Sequence, residues 1–266
     1  MAVDTEQKSI NGRVSESTTV EEARIRAAYA RREKDDGRYS WFNPAYQLMQ
    51  QQCERRVLTL LDRFGFADLQ SKRLLEIGCG TSHWLRQFVK WGSRPENVSG
   101  IDLLPDRLAR ARQLCPPGVR LLTASAAHLP FSSESFDIVL QSTVFTSILD
   151  EDLKTKAAAE MLRLLKPEGL ILWYDYHVSN PWNTDVRGVK RREIHKYFRY
   201  CRIDLERTTL LPPLARALAP YSYLTYCFLE KIPFFCTHYL GTITKQQPKE
   251  RGFSIGSKPT QVADVP

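Results

Sequence analysis

The stretch Leu74–Ser82, which reads LLEIGCGTS, decides the fold of this chain. A strand-like apolar run ends at Ile77 and is followed by a Gly-x-Gly turn at Gly78 and Gly80. The hydroxyl residues that come next suit the start of a helix. Glycines let the backbone take positive φ and let a ligand approach the main chain, and the N–H groups of a helix start attract anions. The pattern predicts a strand, a tight turn and a helix arranged around a ligand.

Length and composition narrow the class of protein. The 266 residues, 42% hydrophobic and 26% charged, suit one large domain with appended elements. Since no apolar run approaches about 20 residues, we expect no transmembrane helix, and the polar N-terminus does not resemble a signal peptide. The six cysteines lack the paired spacing of a zinc site, so we predict no metal and expect reduced thiols in a cytoplasmic protein.

A formal net charge of +8 and a pI near 9.2 suit anionic partners. Nucleic acid, phosphorylated metabolites and a membrane surface all fit, and charge alone does not choose among them.

Alternating strand and helix patterns follow the glycine turn and predict a parallel, doubly wound α/β fold. A short strand ends at Asp102, 24 positions after Gly78. At that separation, a carboxylate ending the second strand accepts hydrogen bonds from both ribose hydroxyls of a nucleotide. Further along, we predict a helix over residues 150–166, stopped by Pro167, and a fifth strand over residues 170–178.

Four blocks, taken in this order, resemble class I S-adenosylmethionine-dependent methyltransferases: LLEIGCGTS, GIDLLPDRLARAR, AAHLPFSSESFDIVL and MLRLLKPEGLILWYDY. The resemblance implies a Rossmann-like methyltransferase fold with a seven-stranded, mostly parallel sheet, N-terminal helices and a C-terminal helical insertion. It also implies S-adenosyl-L-methionine as cofactor. A nicotinamide-dependent dehydrogenase would need a third glycine, where this chain has His83, and a second half for hydride chemistry.

The resemblance also implies eight cofactor-binding residues. Those around the methionine part would be Glu76, Gly78, Gly80 and Gln141, and those around the ribose and adenine would be Asp102, Leu103, Ser125 and Ala126. Three positions depart from the family pattern. Ser82 replaces the usual last glycine of the turn, Ser125 stands where an acid often accepts from the adenine amino group, and Glu168 interrupts a Pro-Gly-Gly sequence.

Methyl transfer to a hydroxyl needs an aligned nucleophile and a base near the methyl group. Asp175 and His177 are two positions apart on the fifth strand and therefore share a face, so we predict them as catalytic residues. A hydrogen-bonded pair that only shapes the pocket is the alternative.

The next segment, SNPWNTDVRGVKRREIHKYF, resembles a feature of a bacterial subset of these enzymes associated with polysaccharide biosynthesis. The resemblance implies acceptor-side roles for Asn180, Asn183, Asp185 and Arg187, although such residues also fix long loops through side-chain turns. A basic cluster suits a phosphorylated or lipid-linked glycan, and a solvated helix face is the alternative; its members are Arg187, Lys190, Arg191, Arg192, Lys196, Arg199 and Arg202.

We therefore expect O-methylation of a glycan or a related small hydroxyl metabolite. The alternatives are a catalytically silent binding or scaffold protein and an RNA methyltransferase, although no RNA-binding module is recognisable. We expect a disordered lead-in over residues 1–19, one domain over residues 20–246 and a mobile tail over residues 247–266. Within the domain, residues 20–70 form N-terminal helices, 71–178 the cofactor-binding core, and 179–246 the acceptor side, with an apolar insertion that roofs the pocket or touches a membrane. The oligomeric state stays open.

Overall fold

The apolar runs of the sequence become the strands of one twisted sheet. The computed structural model describes residues 16–31, 37 and 39–246, and these form a seven-stranded sheet in the order β3-β2-β1-β4-β5-β7-β6. Its strands are β1 Leu74–Ile77, β2 Val98–Asp102, β3 Arg120–Thr123, β4 Phe136–Ser142, β5 Leu165–Tyr176, β6 Cys201–Leu210 and β7 Cys236–Lys245. Among these strands, β7 runs opposite to the other six. The predicted doubly wound, mostly parallel α/β fold is confirmed.

Helices cover both faces of the sheet. In chain order they are α1 Glu16–Arg31, α2 Pro44–Arg63, α3 His83–Lys90, α4 Pro105–Leu114, α5 Glu151–Leu164, α6 Arg191–Tyr197, α7 Pro212–Leu218 and α8 Tyr223–Glu230. Short 3₁₀ turns occupy Pro95–Asn97, Phe145–Ser147 and Pro233–Phe235. The predicted helical insertion lies between β6 and β7 and contains α7 and α8.

The core lies in two layers, one on each face of the sheet. Every residue of β1 and β2 is buried, as is usual for central parallel strands covered on both sides. Leu85 and Phe88 of α3 pack on one face, and Met161 of α5 packs with Trp173 of β5 on the other. The strand order reverses between β1 and β4, and the crevice at such a point, beyond the carboxyl ends of the strands, is where open α/β sheets bind ligands.

The boundary between α5 and β5 differs from the prediction. The helix begins as expected, with Asp150 accepting a hydrogen bond from the Leu153 N–H at 2.7 Å. It ends at Leu164 rather than at residue 166, and β5 starts at Leu165 rather than at residue 170. Pro167 favours extended backbone at the residue before it, and a register shift in β4 accommodates the early pairing.

The N-terminal boundary also differs. Helix α1 begins at Glu16, so residues 16–19, which we expected in the disordered lead-in, are helical. Thr18 is 2% exposed, and its hydroxyl lies 3.2 Å from the Lys156 Nζ of α5. Packing against α5 thus fixes a turn of helix that has little apolar periodicity of its own. The expected lead-in over residues 1–15 and the tail over residues 247–266 lie outside the described residues. None of the helices in the described part combines the length and the apolar character that crossing a bilayer requires.

Substitution of Gly241 should test how tightly the antiparallel edge is built. Gly241 pairs with Trp173 and Leu205, and an added Cβ would collide with the backbone of Asp204 and Leu205. Because backbone atoms in a sheet cannot move aside, Gly241→Ala should lower the free energy of unfolding by about 3 kcal/mol, measured by urea denaturation.

Gly100→Ala is the matched control. The atoms nearest to its Cβ would belong to the side chains of Leu85 and Cys79, whose ends can shift, so we expect a loss of about 1 kcal/mol. Equal losses in the two variants would contradict the assigned register of β7.

Candidate functional site

Other side chains pack closely against both glycines of the turn after β1. Gly78 has φ 67° and Gly80 has φ 53°, values that favour glycine. A Cβ on Gly78 would collide with Val144, and one on Gly80 would collide with the Arg107 guanidinium. The sequence therefore needs glycine at both positions, for conformation and for space.

Asp102 fixes this turn to the end of β2. Its side chain is buried, its Oδ2 accepts a hydrogen bond from the Gly80 N–H at 2.7 Å, and its Oδ1 accepts one from the Leu104 N–H at 2.9 Å. Backbone N–H groups on both oxygens stabilise the ionised carboxylate. Asp102 thus places a negative charge against the glycine turn, in the crevice.

Glu76 adds a second buried carboxyl group, in β1. It is 3% exposed, and within the described part of the chain its Oε2 has no hydrogen-bond partner. Burial, and then the neighbouring charge of Asp102, raise the pKa of Glu76 well above its ordinary value. A buried oxygen without a partner beside a glycine turn fits a ligand that brings hydrogen-bond donors or positive charge.

Ser82 takes the backbone conformation of the glycine that it replaces. Its φ is 62°, in the left-handed region, and it occupies the N-cap position of α3 without making a side-chain capping bond. A non-glycine residue in this region costs on the order of 1 kcal/mol, so the substitution keeps the geometry of the turn at a small loss of stability.

The predicted adenine-side residues come together beneath α1. Leu103 packs with Ile25 and Ile148 in a small apolar cluster that Ala127 also joins. Ser125 accepts a hydrogen bond from the Ala127 N–H at 3.2 Å, which holds the loop after β3. Ala126 is also partly buried. Leu103 and Ala127 thus provide an apolar surface beside this loop, and such a surface suits a flat ring.

Gln141 links the crevice to the loop after β4. It is fully buried, its Oε1 accepts a hydrogen bond from the Val144 N–H at 3.2 Å, and its Nε2 donates to the Tyr174 carbonyl at 3.5 Å. Because Val144 lies against Gly78, Gln141 sets the clearance above the glycine turn.

Helix α1 covers the crevice, which the sequence did not indicate. Arg24 donates to the Ser147 carbonyl at 2.7 Å, and Glu21 accepts from the Leu149 and Asp150 N–H groups. These bonds hold α1 on the loop after β4. Glu21 and Arg24 also pair with each other at 2.8 Å.

Two further residues at the crevice were missed. Arg107 of α4 lies with its guanidinium 5.1 Å from the centre of the Tyr29 ring of α1, and its charge acts on Glu76. Arg107 belongs to the segment GIDLLPDRLARAR, and its position shortly after Asp102 could have indicated its place at the crevice. No sequence signal indicated Tyr29, because α1 is distant in sequence from the glycine turn.

Asp175 lies at the carboxyl end of β5 with no exposed surface. Its Oδ2 accepts from the Thr146 N–H at 3.2 Å and its Oδ1 from the Tyr176 N–H at 2.8 Å, so each oxygen holds a backbone donor. Burial raises the pKa of Asp175 to about 7, although these hydrogen bonds oppose the shift. Asp175 thereby fixes the 3₁₀ turn Phe145–Ser147 that α1 contacts, and its predicted catalytic role stays a prediction.

His177 follows the end of β5 and is 7% exposed. Its Nε2 lies 2.9 Å from the Cys236 carbonyl, an acceptor, so Nε2 must carry the proton. Burial lowers the pKa of His177, which favours the neutral ring. The neutral tautomer with Nε2–H leaves the Nδ1 lone pair as the proton acceptor of the ring.

The acceptor-side residues are engaged within the protein. The Asn180 and Asn183 side-chain oxygens accept from N–H groups two residues on, as in Asx turns, and Asp185 pairs with Arg31 at 2.9 Å. Arg187 pairs with Glu151 and Glu193, each at 2.7 Å. These contacts favour the alternative in which the four residues fix a long loop. They also leave the basic cluster without one continuous open face, because Lys196 too lies 3.6 Å from Glu151.

The predicted cofactor residues thus lie at or near the carboxyl ends of β1, β2, β3 and β4. Asp175 lies in β5 and His177 directly after it, yet they bond to different elements, the turn Phe145–Ser147 and β7 respectively.

Part of this chain is similar to known proteins. Residues 74–169 match the family model described as "Methyltransferase domain". A curated protein of Haemophilus influenzae without an assigned function is 34% identical over 139 residues, which cover 50% of this chain and 53% of that protein. The phthiotriol/phenolphthiotriol dimycocerosates methyltransferase 1 of Mycobacterium ulcerans is 31% identical over 132 residues, covering 48% and 47%. The matched stretch spans about half the length of these relatives.

Solved structures show the same fold at low sequence identity. A SAM-dependent methyltransferase from Methanosarcina mazei aligns with a TM-score of 0.51 at 15% identity, over 69% of this chain and 96% of that chain. The [4+2]-cyclase SpnF aligns with a TM-score of 0.54 at 20% identity, over 80% and 85%. At these identities the likeness concerns the fold, and the second neighbour shows that the fold also hosts other chemistry.

Glu76→Gln should stabilise the protein at alkaline pH. Because the folded protein holds the Glu76 proton to a higher pH than the unfolded chain does, folding takes up a proton between the two pKa values. Raising the pH through that range therefore lowers the free energy of unfolding. The amide removes this loss, so the variant should be more stable than the wild type at pH 8, on the order of 1–3 kcal/mol, and the gain should shrink at pH 5.

The measurement is urea denaturation at both pH values. Glu96→Gln, an exposed carboxylate in the turn Pro95–Asn97, is the control and should show no such gain. A Glu76→Gln protein that is less stable than the wild type at pH 8 would show that the carboxylate is ionised and satisfied in the fold.

Proposed function

We propose that this protein, whose residues 74–169 match the methyltransferase domain model, is a class I S-adenosylmethionine-dependent methyltransferase that methylates a hydroxyl oxygen of a glycan, lipid-linked glycan or related small metabolite. One observation carries the proposal: two buried carboxyl groups, Glu76 with an unpartnered oxygen and Asp102, flank a glycine turn that has no room for side chains. When bound, S-adenosylmethionine supplies a methyl group on a sulfonium that leaves as a neutral thioether.

The crevice residues fit that cofactor chemically. Asp102 has two carboxylate oxygens, each with a lone pair left to accept a hydrogen bond from a ribose hydroxyl, while its two backbone hydrogen bonds hold the side chain in place. Glu76 offers its free oxygen to a cationic or hydroxyl donor of the methionine part. Gly78 and Gly80 allow close approach, with Gln141 beneath them.

The adenine would lie against Leu103, bordered by Ser125 and Ala126. Ser125 offers only a neutral hydroxyl, which already accepts one hydrogen bond from the Ala127 N–H, where the family often has an acid that receives the adenine amino group. We therefore assign recognition of that edge to backbone groups of the loop, at a loss on the order of 1 kcal/mol.

His177 is the proposed base. Its Nε2–H bond to Cys236 orients the ring, burial keeps it neutral, and its Nδ1 lone pair takes the hydroxyl proton as the oxygen attacks the methyl carbon. Asp175 acts as a positioning residue, because both of its oxygens hold backbone N–H groups and order the turn Phe145–Ser147. This turn lies between the crevice and the acceptor side.

A hydroxyl acceptor is supported by the relatives and by the region around His177. The mycobacterial relatives are named for phthiotriol and phenolphthiotriol dimycocerosates, compounds whose names denote alcohols. A nitrogen base beside the end of β5 suits an alcohol, which must lose a proton. The six cysteines are free thiols, the usual state in a reducing compartment, which supports a cytoplasmic location.

Asp102→Asn should weaken binding of both S-adenosylmethionine and S-adenosylhomocysteine by about tenfold or more, because a charged acceptor is lost. Isothermal titration calorimetry measures it. Asp106→Asn, an exposed carboxylate in the first turn of α4, is the control and should bind like the wild type. Unchanged affinity in Asp102→Asn would show that Asp102 only holds the turn, and no donor binding in the wild type would end the proposal.

His177→Gln should lower kcat by about a hundredfold or more while donor affinity stays within about twofold, because only proton removal is lost. The assay follows label from the tritiated methyl donor into the lipid extract and the glycan fraction of cells that make the protein. His195→Gln, exposed on α6, is the control. An unchanged kcat in His177→Gln rules out His177 as the base.

The pH profile gives a second readout of the same residue. A base acts when it is deprotonated, and the pKa of His177 is lowered by burial, so the wild-type kcat should fall only below the ordinary histidine pKa of about 6.5. That acidic limb should be absent from the residual activity of His177→Gln. A limb shared by both proteins would place the titration on another group.

A further inference from the structure

The segment between β6 and β7, residues 211–235, presents large apolar side chains to solvent. We call it the insertion. Two of its side chains, Leu224 and Phe234, are 79% and 83% exposed. The full set of exposed aromatic and aliphatic residues is Leu211, Tyr221, Tyr223, Leu224, Phe228 and Phe234. Isolated apolar residues are common on surfaces, but six within one short segment indicate an interaction site.

Two of the exposed side chains, Leu224 and Phe228, lie on the face of α8 that does not pack on the protein. Tyr226 is fully buried and joins Ala45, Leu210 and Ala215 in an apolar cluster beneath the insertion. Residues four apart on a helix share a face, so Leu224 and Phe228 project together, away from that cluster. The inner face already anchors the insertion, and the outer face is not needed for the fold.

The acidic and basic residues of the insertion differ in their exposure to solvent. Its acidic residue, Glu230, is 4% exposed, lies 3.7 Å from Arg56 and meets the Thr208 hydroxyl at 3.3 Å. Its basic residues, Arg216 and Lys231, are exposed. The insertion therefore shows solvent apolar side chains and positive charge, and no carboxylate.

We propose that the insertion docks on the surface of an anionic lipid bilayer. Leucine and aromatic side chains enter the boundary between headgroups and acyl chains, while the longer cationic side chains reach the phosphates. Negative surface potential attracts each lysine or arginine near the membrane. This docking goes beyond methyl transfer, because it needs neither the donor nor turnover.

The same side of the molecule leads to the crevice. Phe42, which is 99% exposed, lines an open depression together with Pro44 and Arg216 of the insertion. The Trp41 ring lies 6.0 Å from the His83 ring, and His83 is the first residue of α3, directly after the glycine turn. Residues 39–44 thus connect the docking surface to the mouth of the crevice. A hydroxyl at the membrane surface would face the donor from this side.

The test is flotation of the full chain with vesicles of phosphatidylcholine, with and without phosphatidylglycerol. We expect binding that increases with the anionic lipid. The double variant Leu224→Ser with Phe228→Ser should bind at least about tenfold less, since each buried CH₂ contributes to anchoring. Arg216→Gln with Lys231→Gln should lose about fivefold per charge on anionic vesicles only.

Tyr200→Asn is the matched control. Tyr200 is 86% exposed, with φ 62°, a conformation that asparagine tolerates, and it precedes β6 at the end of that strand away from the insertion. It should bind vesicles like the wild type. Both insertion variants should keep wild-type circular dichroism and donor affinity, which separates loss of docking from loss of fold.

Three results would overturn the proposal. The first is absence of vesicle binding by the wild type, and the second is equal binding by the Leu224→Ser, Phe228→Ser variant. The third is a concentration-dependent dimer, seen by light scattering after size exclusion, that this variant abolishes, because a second copy would then cover the surface. Vesicle binding without donor binding would keep this proposal and end the proposed function.

Discussion

The hydrogen bond from the Gly80 N–H to the buried Asp102 carboxylate is the contact on which the rest of the site depends. It ties the turn after β1 to the end of β2 and holds an ionised carboxylate in the crevice. Burial, and then the neighbouring charge of Asp102, raise the pKa of Glu76 well above its ordinary value. The site consequently keeps one fixed negative charge and one unsatisfied polar oxygen, an arrangement that costs stability in the free protein and suits a cofactor carrying a positive charge.

A second chain of contacts carries this geometry to the acceptor side. Gln141 holds Val144 over the glycine turn, Asp175 holds Thr146, and Arg24 of α1 bonds to Ser147. A short loop after β4 is therefore fixed from three directions. The loop borders both the crevice and the end of β5, so a shift of Asp175 would displace the loop and, through Val144, the glycine turn. This structural role explains why Asp175 is fully buried, although the sequence suggested that it is a base.

The fold was predictable because its signals are local. Apolar runs, the positive-φ glycines, the Asp150 cap and the acid ending β2 each depend on neighbours close in sequence. The boundary at Leu164 was misplaced because pairing with β4, a tertiary contact, drew residues 165–169 into β5. In the same way α1 starts before residue 20 because Thr18 is buried on α5, and nothing in its own sequence marks that start.

By itself, the sequence determined the class of fold and which side chains lie at the carboxyl ends of the strands, because spacing along a βαβ unit fixes those positions. Its resemblance to methyltransferases predicted the methyl donor and the residues around it. Only the tertiary structure decided which hydrogen-bond partners those residues have. It brought Tyr29 and Arg107 together at the crevice and bonded Asp175 to the turn Phe145–Ser147. It also directed Nε2 of His177 to the Cys236 carbonyl. It also separated the buried face of the insertion from its exposed one. These outcomes depend on partners distant in the chain, and no local pattern encodes them.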